Sequence, residues 1–195
     1  MVRILFLGNR PESLLCLKYI INHVKGIEVI ACSSENGEKI NKYQINYAEF
    51  IKNNKIPNIE FKDISNINFD IGISVLSTKK IDSFVLNKPK LGFVNIHLGP
   101  LPRFRGSNSV YHAIKRARKD NIYKFGITMH YMDCNLDTGP IIDSTDIPIL
   151  ENDLAYNLFN RSKEAVLPLF IRNIEWMLFY NKSTLREFFT KTIIK

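Results

Sequence analysis

Residues 2–32, VRILFLGNRPESLLCLKYIINHVKGIEVIAC, decide the fold class. The first six are apolar apart from Arg3 and run into Gly8-Asn9-Arg10-Pro11, the composition of a buried strand followed by a turn. Over residues 12–24, Leu14, Leu15, Leu17, Ile20, Ile21 and Val24 recur at helical spacing, and Gly26 closes that helix. Residues 27–32 form a second apolar run. Strand, helix and strand in this order make a βαβ unit, which implies a right-handed crossover and a parallel sheet.

Working outward, residues 33–42 are polar and turn-rich and read as a loop over the carboxyl edge of the sheet. Residues 43–53 read as a helix, 58–62 as a short strand, 70–76 as another buried strand and 81–86 as a short helix. Gly92-Phe93-Val94 then opens a strand that carries Asn95 and His97. Residues 107–119 should be a helix capped by Ser107 or Asn108, with Val110, Tyr111, Ile114 and Ala117 facing the core. Residues 126–133 alternate in strand fashion and 139–149 read as their antiparallel partner, with Asp137 in the connection. Residues 152–180 are amphipathic, with Leu154, Leu158, Phe159, Val166, Leu169, Phe170, Ile174 and Met177 on the apolar face, and Pro168 kinks or divides them. The expectation is an α/β fold: a Rossmann-like, mostly parallel sheet flanked by helices, with an antiparallel strand pair near its C-terminal end. One catalytic domain would span 1–180, followed by a short basic tail over 181–195.

Composition narrows the function. A 195-residue chain that is 45% hydrophobic can bury a sizeable core in one domain. Its net charge of +8 favours an anionic partner such as a nucleotide. The lysines are scattered, however, so a solvated basic surface is an equal alternative to a polyanion site, and nucleic acid is not the expected partner. Cys16, Cys32 and Cys134 are odd in number and far apart, which indicates neither a disulfide framework nor a zinc site, and no metal-ligand spacing appears. Free thiols, an N-terminus without a signal-peptide pattern and apolar runs well short of the roughly 20 residues of a membrane span point to the cytoplasm. The apolar face of 152–180 can be buried internally or against a second copy, so a homodimer is allowed.

Asn95 and His97 are two apart on one strand, so their side chains share a side of the sheet. In open parallel sheets the ligand crevice lies beyond the carboxyl ends of the strands. An amide can donate to a developing oxyanion, an imidazole can carry a proton, and a carboxylate such as Asp137 can orient the imidazole. These are the groups needed to move an acyl unit onto an amine without a covalent enzyme intermediate. Pro102 and Gly106 would shape a tight loop beside them, with Arg105 gripping an anion or holding the loop. Asp133 and Asp143 are rival carboxylates in different surroundings, and His112 and His130 read as structural or surface residues. Gly8-Asn9-Arg10-Pro11-Glu12-Ser13 lacks the glycines of a dinucleotide fingerprint, and neither a Walker lysine nor a Gly-x-Ser-x-Gly elbow is present.

Asn95-Ile96-His97, Leu101-Pro102-x-x-Arg105-Gly106 and Leu136-Asp137-Thr138-Gly139 resemble the motifs of formyltransferases that use 10-formyltetrahydrofolate. That family includes methionyl-tRNA, glycinamide ribonucleotide and sugar N-formyltransferases. The resemblance covers roughly residues 1–180. It implies that Asn95 donates to the oxyanion, that His97 stabilises it and passes the proton, and that Asp137 orients His97 or a relaying water. It also implies a folate pocket built from the segment after residue 74, with Ser74, Leu76, Ser77, Lys80 and Ile81, and from Asp133 and Gly139. The acceptor would meet Asn9, Arg10, Arg105 and Gly106. No metal is implied.

The run Leu98-Gly99-Pro100-Leu101-Pro102 departs from the Ser-Leu-Leu-Pro run of the tRNA and ribonucleotide enzymes and looks closer to the sugar-modifying branch. The residues after 180 are too few for the C-terminal β-barrel of the tRNA enzymes, and sugar enzymes usually carry some C-terminal addition as well. From the Pro-Leu-Pro run, the expected acceptor is a small molecule, a nucleotide-linked amino sugar. The alternatives are formyl transfer to glycinamide ribonucleotide or methionyl-tRNA, hydrolysis of formyltetrahydrofolate, and a non-catalytic folate-binding module, against which the intact Asn95, His97 and Asp137 argue.

Overall fold

In the computed structural model, residues 1–8, 10–33, 42–77 and 79–179 are described, with the side chains of 33 and 42–45 left aside. The expected loop over 33–42 and the tail over 181–195 therefore lie almost wholly outside the described residues. The βαβ unit forms where its apolar periodicity places it: β1 is Val2–Leu7, α1 is Pro11–His23 and β2 is Ile27–Ser33. Every Cα of β1 pairs in parallel with β2, from Val2 opposite Ile27 to Leu7 opposite Cys32. The chain continues through α2 (Lys42–Asn53), β3 (Asn58–Glu60), a 3₁₀ turn (Phe61–Asn66) and β4 (Ile71–Val75). It then forms α3 (Ser83–Leu86), β5 (Phe93–His97), α4 (Ser109–Asp120), β6 (Lys124–Tyr131), β7 (Ile141–Pro148), α5 (Ala155–Glu164) and α6 (Val166–Phe179).

The seven strands lie in the order β3-β2-β1-β4-β5-β6-β7. The first five are parallel, while β6 runs antiparallel to β5 and β7 antiparallel to β6. Strand order reverses between β1 and β4, and such a switch point opens a crevice at the carboxyl ends of the strands. The residues that follow β1, β4 and β5 border that crevice.

Alternation along the strands sends side chains to two cores. Ile4, Phe6, Ile71, Ile73, Val94 and Ile96 pack with residues of α1, α2, α4, α5 and α6 in the larger one. Leu5, Leu7, Phe93 and Ile30 pack with the 3₁₀ turn and α3 in the smaller one. Phe93 belongs to the smaller core, so Asn95 and His97, at i+2 and i+4 on the same strand, rise from that face. Among the described residues no helix is long and apolar enough to cross a membrane.

Four local expectations are corrected. Helix α4 begins at Ser109, because Asn108 sits in the left-handed region at φ 61° and makes no side-chain capping bond. Tyr111 is 57% exposed, and Ala113 takes the core position expected of it. The break in the C-terminal helical stretch falls at Ala165 instead of Pro168. Proline fits the first turn of α6 because an N–H there has no helical partner to lose. Leu154, expected on the apolar face, is exposed ahead of α5.

Gly72 on β4 shows how tightly the smaller core closes. A Cβ built there would lie 2.3 Å from two atoms of the Phe93 ring on the neighbouring strand. Gly72→Ala should cost about 1–3 kcal/mol as an overpacked site. Its thermal midpoint should drop by about 2–4 °C per kcal/mol. Adding Phe93→Leu should recover part of that loss, and thermal unfolding followed by circular dichroism checks both.

Candidate active site

The site is built on β5, β6 and the two loops at their ends. Parallel pairing sets Ser74 of β4 opposite Asn95 of β5, and antiparallel pairing sets His130 of β6 opposite Asn95 and Thr128 opposite His97. Directly opposed residues share a face. Two rows of polar side chains therefore stand on the smaller-core face, Ser74-Asn95-His130 and His97-Thr128. Ser74, Thr128 and His130 are buried, and Asn95 and His97 are half-buried.

Asp137 arrives from the β6–β7 connection. It holds the left-handed region at φ 51°, a conformation that Asp tolerates better than bulkier residues. Its carboxylate lies 3.5 Å from Nδ1 of His97 and 3.6 Å from Nε2 of His130, and it accepts a 2.8 Å hydrogen bond from the Gly106 N–H. Arg105 donates through Nε to the Asp137 carbonyl at 3.1 Å. One residue thus ties the loop after β5 to the loop after β6. Gly139 is needed for that closure, because a Cβ there would fall 1.9 Å from the Tyr131 carbonyl oxygen.

The protonation pattern follows from the partners. His130 Nδ1 lies 2.8 Å from the carbonyl of Tyr131, an acceptor only, so Nδ1 carries the hydrogen. Nε2 then offers a lone pair to the Asn95 amide nitrogen at 3.3 Å. Burial pulls the His130 pKa below the ordinary imidazole value, and outweighs the opposing pull of the Tyr131 carbonyl and Asp137. Asn95 spends one N–H on His130 and keeps the second for another acceptor. His97 Nε2 donates to the Phe104 carbonyl at 2.6 Å, which leaves Nδ1 facing Asp137. A proton taken on Nδ1 meets a carboxylate at once. Thr128 donates to the Gly99 carbonyl at 2.8 Å and accepts from the Leu101 N–H at 3.1 Å, so it holds the turn that carries Phe104.

The structure therefore brings Asn95, His97 and Asp137 together, with Gly106 and Arg105 serving the loop. Ser74 is their neighbour on β4, and Leu76, at φ 54°, and Ser77 follow at the strand's carboxyl end. Lys80 is exposed and Ile81 is buried beyond them. Asp133 accepts from the Thr138 hydroxyl at 2.6 Å and from the Asn135 N–H at 3.1 Å, so one of its oxygens shapes the Asp137 loop. Arg10 stands at the start of α1, where its N–H donates to Ser13 Oγ at 2.8 Å. Asn9 lies outside the described residues.

Of the two readings of His130, structural or surface, burial removes the second: it is 1% exposed, contacts Asn95 and stands beside Asp137. The signal was available: Thr128 and His130 are polar residues two apart that alternate with Ile127 and Met129, the same pattern as Asn95 and His97. His112, by contrast, is exposed on α4.

Comparisons with known proteins bear on the fold and the family. Residues 23–174 match the family model described as Formyl transferase. A methionyl-tRNA formyltransferase of Legionella pneumophila (strain Corby) is 27% identical over 180 residues, 85% of this chain and 55% of the relative. This chain thus spans about half the length of that curated relative. WlaRD, a sugar 3N-formyl transferase crystallised in the presence of dTDP and 5-N-formyl-THF, aligns with a TM-score of 0.73 at 26% identity. That alignment covers 91% of this chain and 63% of WlaRD. An N-formyltransferase from Helicobacter canadensis, in complex with folinic acid and dTDP-3-aminofucose, aligns with a TM-score of 0.74 at 25% identity, over 91% of this chain and 64% of the other.

The depressed His130 pKa has a consequence for stability. The unfolded chain binds a proton near the ordinary imidazole value of about 6.5, before the folded chain does. Stability is therefore fully present above that value and is lost as pH falls from it toward the folded pKa. His130→Gln should flatten this part of the stability–pH curve. Urea unfolding of both proteins between about pH 7.5 and about pH 5 measures the difference; identical curves would contradict the neutral, buried assignment.

Proposed function

The chain belongs to the formyl transferase family, and from that premise we propose that it moves a formyl group from 10-formyltetrahydrofolate to a primary amine on a nucleotide-linked amino sugar. The observation that carries the reaction class is the closed set formed by Asn95, His97 and Asp137, with one amide N–H of Asn95 left over. The set suits a formyl group: its oxygen needs one donor as charge develops, and the attacking amine needs one acceptor for its proton. The folate supplies an activated one-carbon unit at formyl oxidation state, and the residues supply position and electrostatics.

In this reading Asn95 aims its second N–H at the formyl oxygen while His130 fixes the amide's orientation. His97 takes the amine proton on Nδ1, beside Asp137, and its Nε2 bond to the Phe104 carbonyl keeps the ring from turning away. Asp137 meets the resulting imidazolium with a carboxylate, so the proton need not be released to solvent before the leaving nitrogen collects it. The carboxyl end of β4, with Ser74, Leu76, Ser77, Lys80 and Ile81, forms one side of the folate pocket. The loop shaped by Asp133 and Gly139 forms the other. Arg10 and Asn9 belong to the acceptor side.

Two things favour the sugar acceptor: the Leu98-Gly99-Pro100-Leu101-Pro102 run, and the alignment with two sugar enzymes whose bound molecules include dTDP or a dTDP-sugar. The Legionella relative favours a second reading, methionyl-tRNA as acceptor. The two separate cleanly in one assay. Tetrahydrofolate release is followed with no acceptor, with dTDP- and UDP-amino sugars, with glycinamide ribonucleotide and with methionyl-tRNA, and mass spectrometry identifies what gains the formyl group. Release that needs an amino sugar is the expected result. Release with tRNA or glycinamide ribonucleotide instead would replace the sugar reading, and release without any amine would make the protein a hydrolase. Asn95→Ala should lower the acceptor-dependent rate by about 10²–10³.

A further inference from the structure

Thr128 is buried on β6 directly opposite His97, and its hydroxyl is committed wholly to the turn after β5. It donates to the Gly99 carbonyl at 2.8 Å and accepts from the Leu101 N–H at 3.1 Å. Those two groups belong to the peptides on either side of Pro100. The Leu101 N–H shares a rigid peptide plane with the Pro100 carbonyl, and that carbonyl accepts from the Phe104 N–H at 3.1 Å. Phe104 in turn offers its own carbonyl to His97 Nε2 at 2.6 Å. A continuous line of hydrogen bonds therefore runs from the Thr128 hydroxyl to the far nitrogen of His97.

The turn also has no slack. A Cβ on Gly99 would lie 2.7 Å from His97 Nε2, 2.9 Å from the Phe104 carbonyl oxygen and 3.0 Å from Ser109 Cβ. The ring and the carbonyl close over Gly99 without room for a methyl group. Ser109, buried at the start of α4, donates its hydroxyl to the Leu98 carbonyl and anchors the near end of the turn.

We propose that Thr128 is a positioning residue for formyl transfer, one that decides which nitrogen of His97 is open to a proton. The inference rests on the transferase reading above, in which Nδ1 takes the amine proton. A neutral imidazole carries a single ring hydrogen. Two acceptors compete for it: the Phe104 carbonyl at 2.6 Å from Nε2, and the Asp137 carboxylate at 3.5 Å from Nδ1. A carboxylate is the stronger acceptor at equal distance, so the carbonyl holds the hydrogen by being nearer. The pinned turn keeps it nearer. Without the Thr128 hydroxyl the carbonyl recedes, and the hydrogen passes to Nδ1 and bonds to Asp137. Nδ1 then has no lone pair for the amine. Thr128 meets no substrate in this account, so its loss slows the bound complex and leaves binding alone.

The test reads His97 directly. Nitrogen NMR of the imidazole rings at about pH 8, where an ordinary imidazole is neutral, identifies the tautomer. His97→Gln assigns its signals among the four histidines. The full chain is compared with Thr128→Val, Thr128→Ala, Thr128→Ser and Gly72→Ala. Valine and alanine each delete the hydroxyl, so one carries the test if the other fails to fold. Gly72→Ala strains the core beside Phe93 and serves as the destabilised control. The native chain, Thr128→Ser and Gly72→Ala should keep the hydrogen on Nε2. Thr128→Val and Thr128→Ala should move it toward Nδ1 and lower kcat by about 10–10²-fold. KM for both substrates should stay unchanged, as for a contact that matters only beyond the ground state. A hydrogen on Nδ1 in the native chain would overturn the proposal. So would an unchanged tautomer in both hydroxyl-deleted variants, or an equal loss of rate in Gly72→Ala. Transfer that ignores the hydroxyl would sink the positioning role and leave the transferase intact. A hydroxyl-dependent tautomer in a chain that transfers formyl to no amine would do the reverse.

Discussion

The site depends on the carboxylate of Asp137 being shared. It accepts from the Gly106 N–H while facing His97 and His130 within 3.6 Å. A carboxylate taken out of water is costly unless hydrogen bonds and charge partners replace its hydration. Here the hydrogen bond comes from the Gly106 N–H in the turn after β5, so meeting that requirement closes the β6–β7 connection onto that turn. Once the loops meet, Phe104 is placed to hold the far nitrogen of His97, and Tyr131 to hold that of His130. Each ring is oriented by a carbonyl on one side and faces Asp137 on the other.

The sheet supplies what this arrangement needs in advance. Antiparallel addition of β6 to a parallel sheet sets a register in which Asn95 meets His130 and His97 meets Thr128. A slip of one residue would turn all four to the other face. Rigid strands thus carry the amide and the imidazoles, and the loops carry only the carboxylate and the two backbone groups that trim the geometry. An amide donor fixed before the substrate arrives pays no reorganisation cost when charge develops on its acceptor.

Much of this was legible in the residues. The periodicity of residues 2–32 read out as β1, α1 and β2 because nothing in the tertiary structure opposes it. The two-residue spacing of Asn95 and His97 placed them together because strand parity is a local property. The role of His130 was hidden, since its contact with Asn95 spans 35 residues of chain and depends on a register that no local pattern states. Helix edges misled for a related reason. Tyr111 is three residues from Ile114, but α4 turns Val110, Ala113, Ile114 and Ala117 to the core and leaves Tyr111 exposed. Pro168 marked a real break three residues late, because proline's missing N–H is harmless in a first turn.

If Asp137 and His97 act as one unit, removing either should remove what the other contributes. A double-mutant cycle of His97→Gln and Asp137→Asn, read as the single-turnover rate of formyl transfer to the acceptor found in the assay, asks this most directly. The double variant should be about as slow as the slower single variant, the non-additivity expected of residues that work together. Losses that multiply, each substitution costing its full factor in the presence of the other, would show two independent groups and contradict the shared-carboxylate account.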